Sequence, residues 1–333
     1  MKFNPILIVA GEPNSVFLEI FFKSINNKQT KNPIILIASL KLLELQMSKL
    51  KVYKKVNIIV NKNLKQNKIF KNKINLINVN YSPKKPFEKI SSKSNDYISN
   101  CFKLAFEIIK KNKIKKFING PINKKTFLNK NYLGITEYIS KKLKIKKTAM
   151  LIYNKELSVC PLTTHLPLKY VIKKINKKNI IEKVELIDEF YKSKIKKKAK
   201  IAVVGLNPQC ESVYKFNEDE KIIYPTIKYL RKLNYKISGP YPADTIFLKK
   251  NREKFNLIIG MYHDQVLTPM KTLYEYDAIN ITLGLPFIRV SPDHGPNEKM
   301  MGKNLSNPLS LIKSFKFLDR NWLKQKKVLD KIF

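Results

Sequence analysis

The sequence predicts an α/β fold built on a largely parallel sheet with helices on both faces. Two observations carry that expectation. Short apolar runs rich in β-formers alternate with longer segments of helical period, the pattern that repeated strand–helix–strand units produce. Only nine glycines serve 333 residues, where average usage gives about 23. Four of them, Gly11, Gly120, Gly205 and Gly260, close apolar runs. Glycine persists where backbone takes positive φ or approaches another group closely. Ligands of open α/β sheets sit beyond the carboxyl ends of the strands, so these strand-end loops are the expected place for chemistry.

The elements follow in order. Residues 6–10 form a first buried strand. The run is too short for a secretory signal and passes directly into the polar turn Gly11-Glu12-Pro13. Strands are next expected at 34–38 and 56–60. Residues 81–94 are polar and Pro-containing and read as a loop. Residues 95–110 place Ile98, Phe102, Ala105 and Ile109 on one helical face. Further strands are expected at 116–119, 149–153, 201–206, 257–261 and 279–283, with helices at 179–191 and 218–233. Gly239 to Thr245 reads as a turn entering a helix, with Asp244 near its start. Residues 307–333 read as helices packing back on the body.

Composition narrows the function classes. A hydrophobic content of 44% supports a real core. No apolar run approaches the roughly 18 residues that cross a bilayer. Cys101, Cys160 and Cys210 are odd in number and lack metal-ligand spacing, which suits a reducing cytoplasm. The formal net charge is +41, yet lysine is spread along the whole chain in runs such as Lys196-Lys197-Lys198. With abundant Asn and Ile, this is the residue mix of AT-rich codons, and solvated lysine faces account for the charge. No zinc finger, aromatic-basic ribonucleoprotein motif or basic zipper is present, so neither nucleic acid nor membrane is an expected partner. A basic surface still draws anionic substrates and cofactors through its summed field.

The chain has three histidines, and all lie in loop-like polar clusters. His165 and His263 follow or end strands, and with Asp244 and Asp264 at hand they suit a divalent metal; the alternative is two hydrogen-bonded structural histidines. Lys271, Asn280 and Arg289 surround one strand. Arg grips phosphate or carboxylate bidentately and Lys adds a point charge. Arg289 sits in an apolar stretch, which argues against a solvated role. Asp244 is either a helix cap or a proton carrier. The Rossmann glycine fingerprint, the phosphate-binding P-loop and the Gly-x-Ser-x-Gly elbow are all absent.

Taken together these segments resemble the 4-hydroxythreonine-4-phosphate dehydrogenase family of pyridoxal phosphate synthesis. The match runs through Gly11-Glu12-Pro13, Gly120-Pro121-Ile122-Asn123-Lys124, Gly134-Ile135-Thr136-Glu137, Thr164-His165-Leu166-Pro167 and Gly205-Leu206-Asn207-Pro208. It continues through Met261-Tyr262-His263-Asp264-Gln265, the stretch from Asn280 to Arg289, and Asp293-His294-Gly295. The resemblance implies two α/β/α domains with an interdomain cleft, similar to isocitrate and isopropylmalate dehydrogenases. It divides the chain into 1–135 with 270–333, and 136–269. It implies a cytoplasmic homodimer that uses NAD or NADP without the Rossmann glycines, together with one divalent ion (zinc, magnesium or cobalt). The implied reaction oxidises 4-phosphooxy-L-threonine, and loss of carbon dioxide then yields 3-amino-2-oxopropyl phosphate. By the same resemblance His165, His263 and the position of Gln209 hold the metal, and Thr136, Lys271, Asn280 and Arg289 bind substrate. Asp244 or Asp264 serves proton transfer, and His294 and Gly295 lie near the nucleotide.

The chain departs from the family pattern in four places. Gln209 stands where the family has a third metal-binding histidine, and Ile135 stands where it has a substrate histidine. The first loop lacks the usual glycines, and Pro296-Asn297 replaces Thr-Ala. Three outcomes stay open from these changes: an oxygen-preferring ion, a related phosphorylated hydroxy acid such as phospho-threonate, or a catalytically impaired binding protein.

Overall fold

Residues 4–26, 30–129, 131–213, 216–292 and 294–320 are described in a computed structural model. In chain order the elements are β1 (Ile6–Val9), α1 (Phe17–Asn26), β2 (Ile34–Ala38), α2 (Leu40–Lys49), β3 (Val56–Ile58), β4 (Ile74–Asn78), α3 (Asn95–Asn112) and β5 (Lys116–Asn119). There follow α4 (Ile135–Lys142), β6 (Ala149–Tyr153), β7 (Ser158–Pro161), α5 (Leu168–Val171), α6 (Lys177–Phe190), β8 (Ile201–Val204), α7 (Tyr224–Lys232) and β9 (Ile237–Tyr241). The last are α8 (Ala243–Ile246), α9 (Lys249–Arg252), β10 (Leu257–Gly260), α10 (His263–Tyr274), β11 (Ile279–Leu283), β12 (Ile288–Pro292) and α11 (Leu309–Leu318). The chain divides into two units, residues 1–135 with 286–333, and residues 136–285.

In the first unit the strands run in the order β3-β4-β2-β1-β5-β12, and every pairing is parallel. β1 lies inside this sheet, and all four of its side chains are fully buried. That is why its sequence is an unbroken apolar run instead of an alternation. Gly11 has φ +81, and an added Cβ would lie 2.3 Å from the Pro121 carbonyl oxygen. The loop after β1 therefore requires glycine on two counts. Glu12 follows, 1% exposed. Its carboxylate accepts hydrogen bonds from the Asn14 amide at 3.2 Å and the Ser94 hydroxyl at 3.3 Å.

In the second unit the order is β11-β6-β7-β10-β8-β9. β7, β10, β8 and β9 pair in parallel, whereas β6 pairs antiparallel with both β7 and β11. An apolar core of Met150, Ile152, Val159, Ala202, Val204, Ile258, Val266 and Met270 joins the strands to α10. α6 begins at Asn176, whose side chain accepts from the Asn179 amide, a typical helix cap.

The structure differs from the sequence expectations in several places, each with a physical reason. The chain returns to the first unit at 286, not 270. β11 is hydrogen-bonded along its length to β6, which keeps α10 and β11 with the second unit. Four strands carried no recognisable run. β4 is interrupted by asparagines, of which Asn75 is buried and bonds the Ile34 and Phe70 carbonyls. β7 and β12 each end in Pro, β12 also carries Arg289, and β9 contains Gly239-Pro240. Residues 239–241 thus belong to a strand, not a turn, although Asp244 does open a helix. The helix expected from 218 starts with a wide turn, 219–223, before α7. Residues 321–333, expected to be helical, lie outside the described residues, as does Asp293.

Burial, together with the nearby Glu298 carboxylate, pushes the Glu12 pKa up to about 7, from an ordinary 4.5. The folded protein therefore keeps a proton at Glu12 that the unfolded chain gives up, and the contribution of this group to stability falls as pH rises from about 4.5 to about 7, then levels off. Relative to Glu12→Gln, the wild type is expected to lose up to about 3 kcal/mol across that window. Urea unfolding of both proteins at several pH values checks this.

Candidate active site

The two histidines converge because of strand register. β7 and β10 are parallel neighbours with Pro161 opposite Gly260. The chains leaving them stay together for two further residues. The Leu162 amide donates to the Gly260 carbonyl at 2.7 Å, and the Thr163 amide and hydroxyl donate to the Met261 carbonyl at 3.3 and 2.8 Å. His165 and His263 come two residues further along each chain, with ring centroids 5.2 Å apart. His263 opens α10, and its Nδ1 meets the Asp264 carboxylate at 2.6 Å. That contact orients the ring and leaves Nε2 as the nitrogen for a ligand. Asp264 is otherwise 82% exposed and His263 29%.

A third chain end is tied to the same corner. Gln265, buried, accepts from the Met261 amide at 2.7 Å and donates to the Gly205 carbonyl at 2.7 Å. Asp219 then holds the loop after β8: it accepts from the Leu206 amide at 2.8 Å, the Asn207 amide at 3.0 Å and the Asn207 side-chain amide at 3.0 Å. A Cβ at 205 would lie 2.6 Å from Cys210 Sγ and 2.7 Å from Asp219 Oδ1, so any other residue there would displace one of those side chains. This loop delivers Gln209, exposed and in left-handed backbone at φ 57. Among the described residues no three His, Cys, Asp or Glu side chains gather in a metal-holding group. Two imidazoles are what the second unit supplies.

Thr136 lies in the first turn of α4, with its hydroxyl 3.4 Å from that of Thr282. Asn280 is two residues earlier on β11 and so shares a face with Thr282. The structure thus brings Thr136 and Asn280 to one side of the strand. Lys271, half-buried, is two turns along α10 from His263. Asp244 is exposed in the first turn of α8. In the first unit Arg289 is fully buried on β12, its Nε donating to Asn119 Oδ1 at 2.7 Å. His294 is half-buried, with Nδ1 3.0 Å from the Gly295 carbonyl, and an added Cβ on Gly295 would meet nothing within 4 Å.

Sequence reasoning passed over Thr163 and Asp219 and gave Gln265 and Glu137 no role. Gln265 and Glu137 lay in motifs already singled out, and Thr163 directly precedes one. Asp219 carried no local signal, because the loop amides that donate to its carboxylate lie 12 and 13 residues away.

This arrangement accompanies a family match. Residues 29–318 match the model of "Pyridoxal phosphate biosynthetic protein PdxA". The chain belongs to the PdxA family. A 4-hydroxythreonine-4-phosphate dehydrogenase of a Sulfurihydrogenibium species is 36% identical over 319 residues, 93% of this chain and 95% of that one. A D-threonate 4-phosphate dehydrogenase of Pectobacterium atrosepticum is 31% identical over 62% of this chain and 64% of its own. Among solved structures, a 4-hydroxythreonine-4-phosphate dehydrogenase of Klebsiella pneumoniae superposes with a TM-score of 0.81. It is 25% identical, covering 96% of this chain and 97% of that one. PdxA membership accounts for the order of the motifs along the chain, and it makes the chain one of a family of dehydrogenases of phosphorylated small molecules.

Cys210, next to Gln209, carries a thiol that stays protonated near neutral pH when no cation is bound. Burial foremost, then the Asp219 carboxylate, pushes its thiol up to about 11. Cys101 and Cys160 are buried, so Cys210 governs modification of the folded protein. Its alkylation by iodoacetamide is expected to go on accelerating to about pH 11, instead of levelling near the usual value of 9. Stopped-time alkylation read by mass spectrometry checks this.

Proposed function

We propose that this chain oxidises the secondary alcohol of 4-phosphooxy-L-threonine with NAD or NADP as acceptor, and that the product loses carbon dioxide to give 3-amino-2-oxopropyl phosphate. The observation that carries the reading is the pair of imidazoles 5.2 Å apart at the carboxyl ends of neighbouring parallel strands, in a chain 36% identical to a dehydrogenase of that name. The pair fits a divalent cation: His263 has its second nitrogen turned to a carboxylate, the usual companion of a metal-bound imidazole. Two protein ligands leave coordination positions for substrate oxygens and water. Such a cation would acidify the substrate hydroxyl and stabilise the enolate left by decarboxylation.

The remaining roles belong to the chain. His165 and His263 place the cation, and Asp264 holds His263 in its tautomer. Thr136 and Asn280 offer a hydroxyl and an amide from adjoining positions for the polar end of the substrate. Lys271 and Arg289 are the proposed anion partners, with Arg289 pre-oriented by Asn119. Asp244, exposed and carboxylate-bearing, is the proposed proton carrier alongside Asp264. Gly295 borders open space, which fits a nucleotide beside His294. Gln209 is proposed only as a neutral oxygen donor to a harder ion such as magnesium. A cytoplasmic homodimer is proposed on the family's behalf.

Purified protein with a divalent ion is expected to reduce NAD(P) on addition of 4-phosphooxy-L-threonine, and to do so faster than with phosphorylated threonate. His165→Ala and His263→Ala should each lower kcat/KM by about 100-fold or more, since a Lewis acid contributes several kcal/mol to such a step. Asp264→Asn should cost roughly tenfold through misorientation of His263. Absence of turnover by soluble wild type, together with failure to rescue a pyridoxine auxotroph, would sink the reading.

A further inference from the structure

Glu137 belongs to none of the roles above, yet it reaches the histidine loop. It sits in the first turn of α4, beside Thr136. One carboxylate oxygen, Oε1, accepts the Thr164 hydroxyl at 3.1 Å, and Thr164 immediately precedes His165. The other, Oε2, is shielded from solvent and has no hydrogen-bond partner among the described residues. The helix start that carries Glu137 is itself pinned: the Thr136 carbonyl accepts from the Ser140 hydroxyl at 2.7 Å, and the Thr136 hydroxyl lies against Thr282.

A shielded carboxylate oxygen without a partner is costly, on the order of 1–3 kcal/mol or more. It stands in a chain with 66 basic residues and 25 acidic ones, where a lysine partner would be easy to supply. The bland account is an acidic residue favoured at a helix start. That account explains the charge but not the side chain's direction, because a solvated carboxylate would serve the helix as well. What the observed direction achieves is a second anchor for the loop. Thr163 ties one side of it to Met261 in β10's exit, and Thr164 ties the adjacent position to α4. The two consecutive threonines therefore hold the backbone before His165 from opposite elements, in surroundings where a charge-assisted hydrogen bond is strong.

We propose that Glu137 is a positioning residue for the two-histidine site: by holding Thr164 it sets His165 in place against His263. The proposal rests on the reading of those histidines as metal ligands, and it predicts that Glu137 matters to metal affinity more than to helix stability.

The test uses the full chain, stripped with a chelator and titrated with Co(II), read by calorimetry and by the visible absorption of the bound ion. Glu137→Ala and Thr164→Val are each expected to weaken Co(II) binding by roughly tenfold or more, the usual effect of losing an outer-shell partner. The double variant should be no worse than the weaker single, since both remove one link. Glu137→Gln retains an oxygen that can accept the Thr164 hydroxyl and is expected to bind within about threefold of wild type. Should Glu137→Ala fail to fold, Thr164→Val and Glu137→Gln carry the test. Wild-type Co(II) affinity in Glu137→Ala and Thr164→Val, with only a lowered Tm, would overturn the proposal, and so would a Glu137→Gln loss as large as that of Glu137→Ala. The metal reading fails separately, and recognisably, if His165→Ala and His263→Ala bind Co(II) like wild type.

Discussion

The parallel pairing of β7 with β10 is the constraint on which the candidate site depends. Its register sets Pro161 against Gly260, and the hydrogen bonds of Leu162 and Thr163 extend the pairing past the end of the sheet. Without that extension the two loops would be independent, and a pair of imidazoles 5.2 Å apart would be an accident of flexible chain. With it, two chain ends leave the sheet as one body. Gln265 adds the third by bridging Met261 and Gly205. Strand-end loops often carry function because a rigid scaffold aims them, and here the scaffold reaches into the loops themselves.

The acidic residues are the scarce component of this chain, and several are spent inside it. Glu12, Glu19 and Asp219 are each about 1% exposed. Asp219 accepts the two backbone amides of the loop after β8, Glu12 the amide of Asn14, and Glu19 the amide of Ser306. Most lysines meanwhile stay in water, as their strongly hydrated ammonium groups favour, with Lys116 on β5 a buried exception. The net charge is thus a property of the surface, while the buried carboxylates determine loop shape. Arg289 is the cationic counterpart: a fully buried guanidinium held by Asn119 within its own sheet. A lysine there could not reproduce its planar fork.

Two of the four departures from the family pattern, Gln209 and Ile135, fall on the periphery of this framework. Gln209 is exposed on a left-handed turn, beyond the part of the loop that Asp219 grips. Ile135 precedes Thr136 at the start of α4, where the Thr136–Thr282 contact is intact. The groups that hold the chain ends together are present.

Much was legible in the sequence. Continuous apolar runs gave away β1, β2, β6 and β10, because strands buried on both faces favour apolar side chains at every position. Glycines at 11 and 205 marked loops where a Cβ has no room. The histidines, three in the whole chain, pointed to the site, and the ordered motifs pointed to the family. What local pattern could not supply was pairing. β4, β7, β9 and β12 are strands only because neighbours complete their hydrogen bonds, despite Asn, Pro and Gly within them. The end of the second unit at 285 follows from β11 pairing back on β6. The roles of Thr163, Gln265, Asp219 and Glu137 arise from contacts between residues far apart in the chain. Composition and periodicity record which surfaces are buried, so the sequence by itself determined the fold class and nominated the chemistry. Register and long-range hydrogen bonds depend on which strands become neighbours, so only the tertiary structure decided that two of those histidines would face each other.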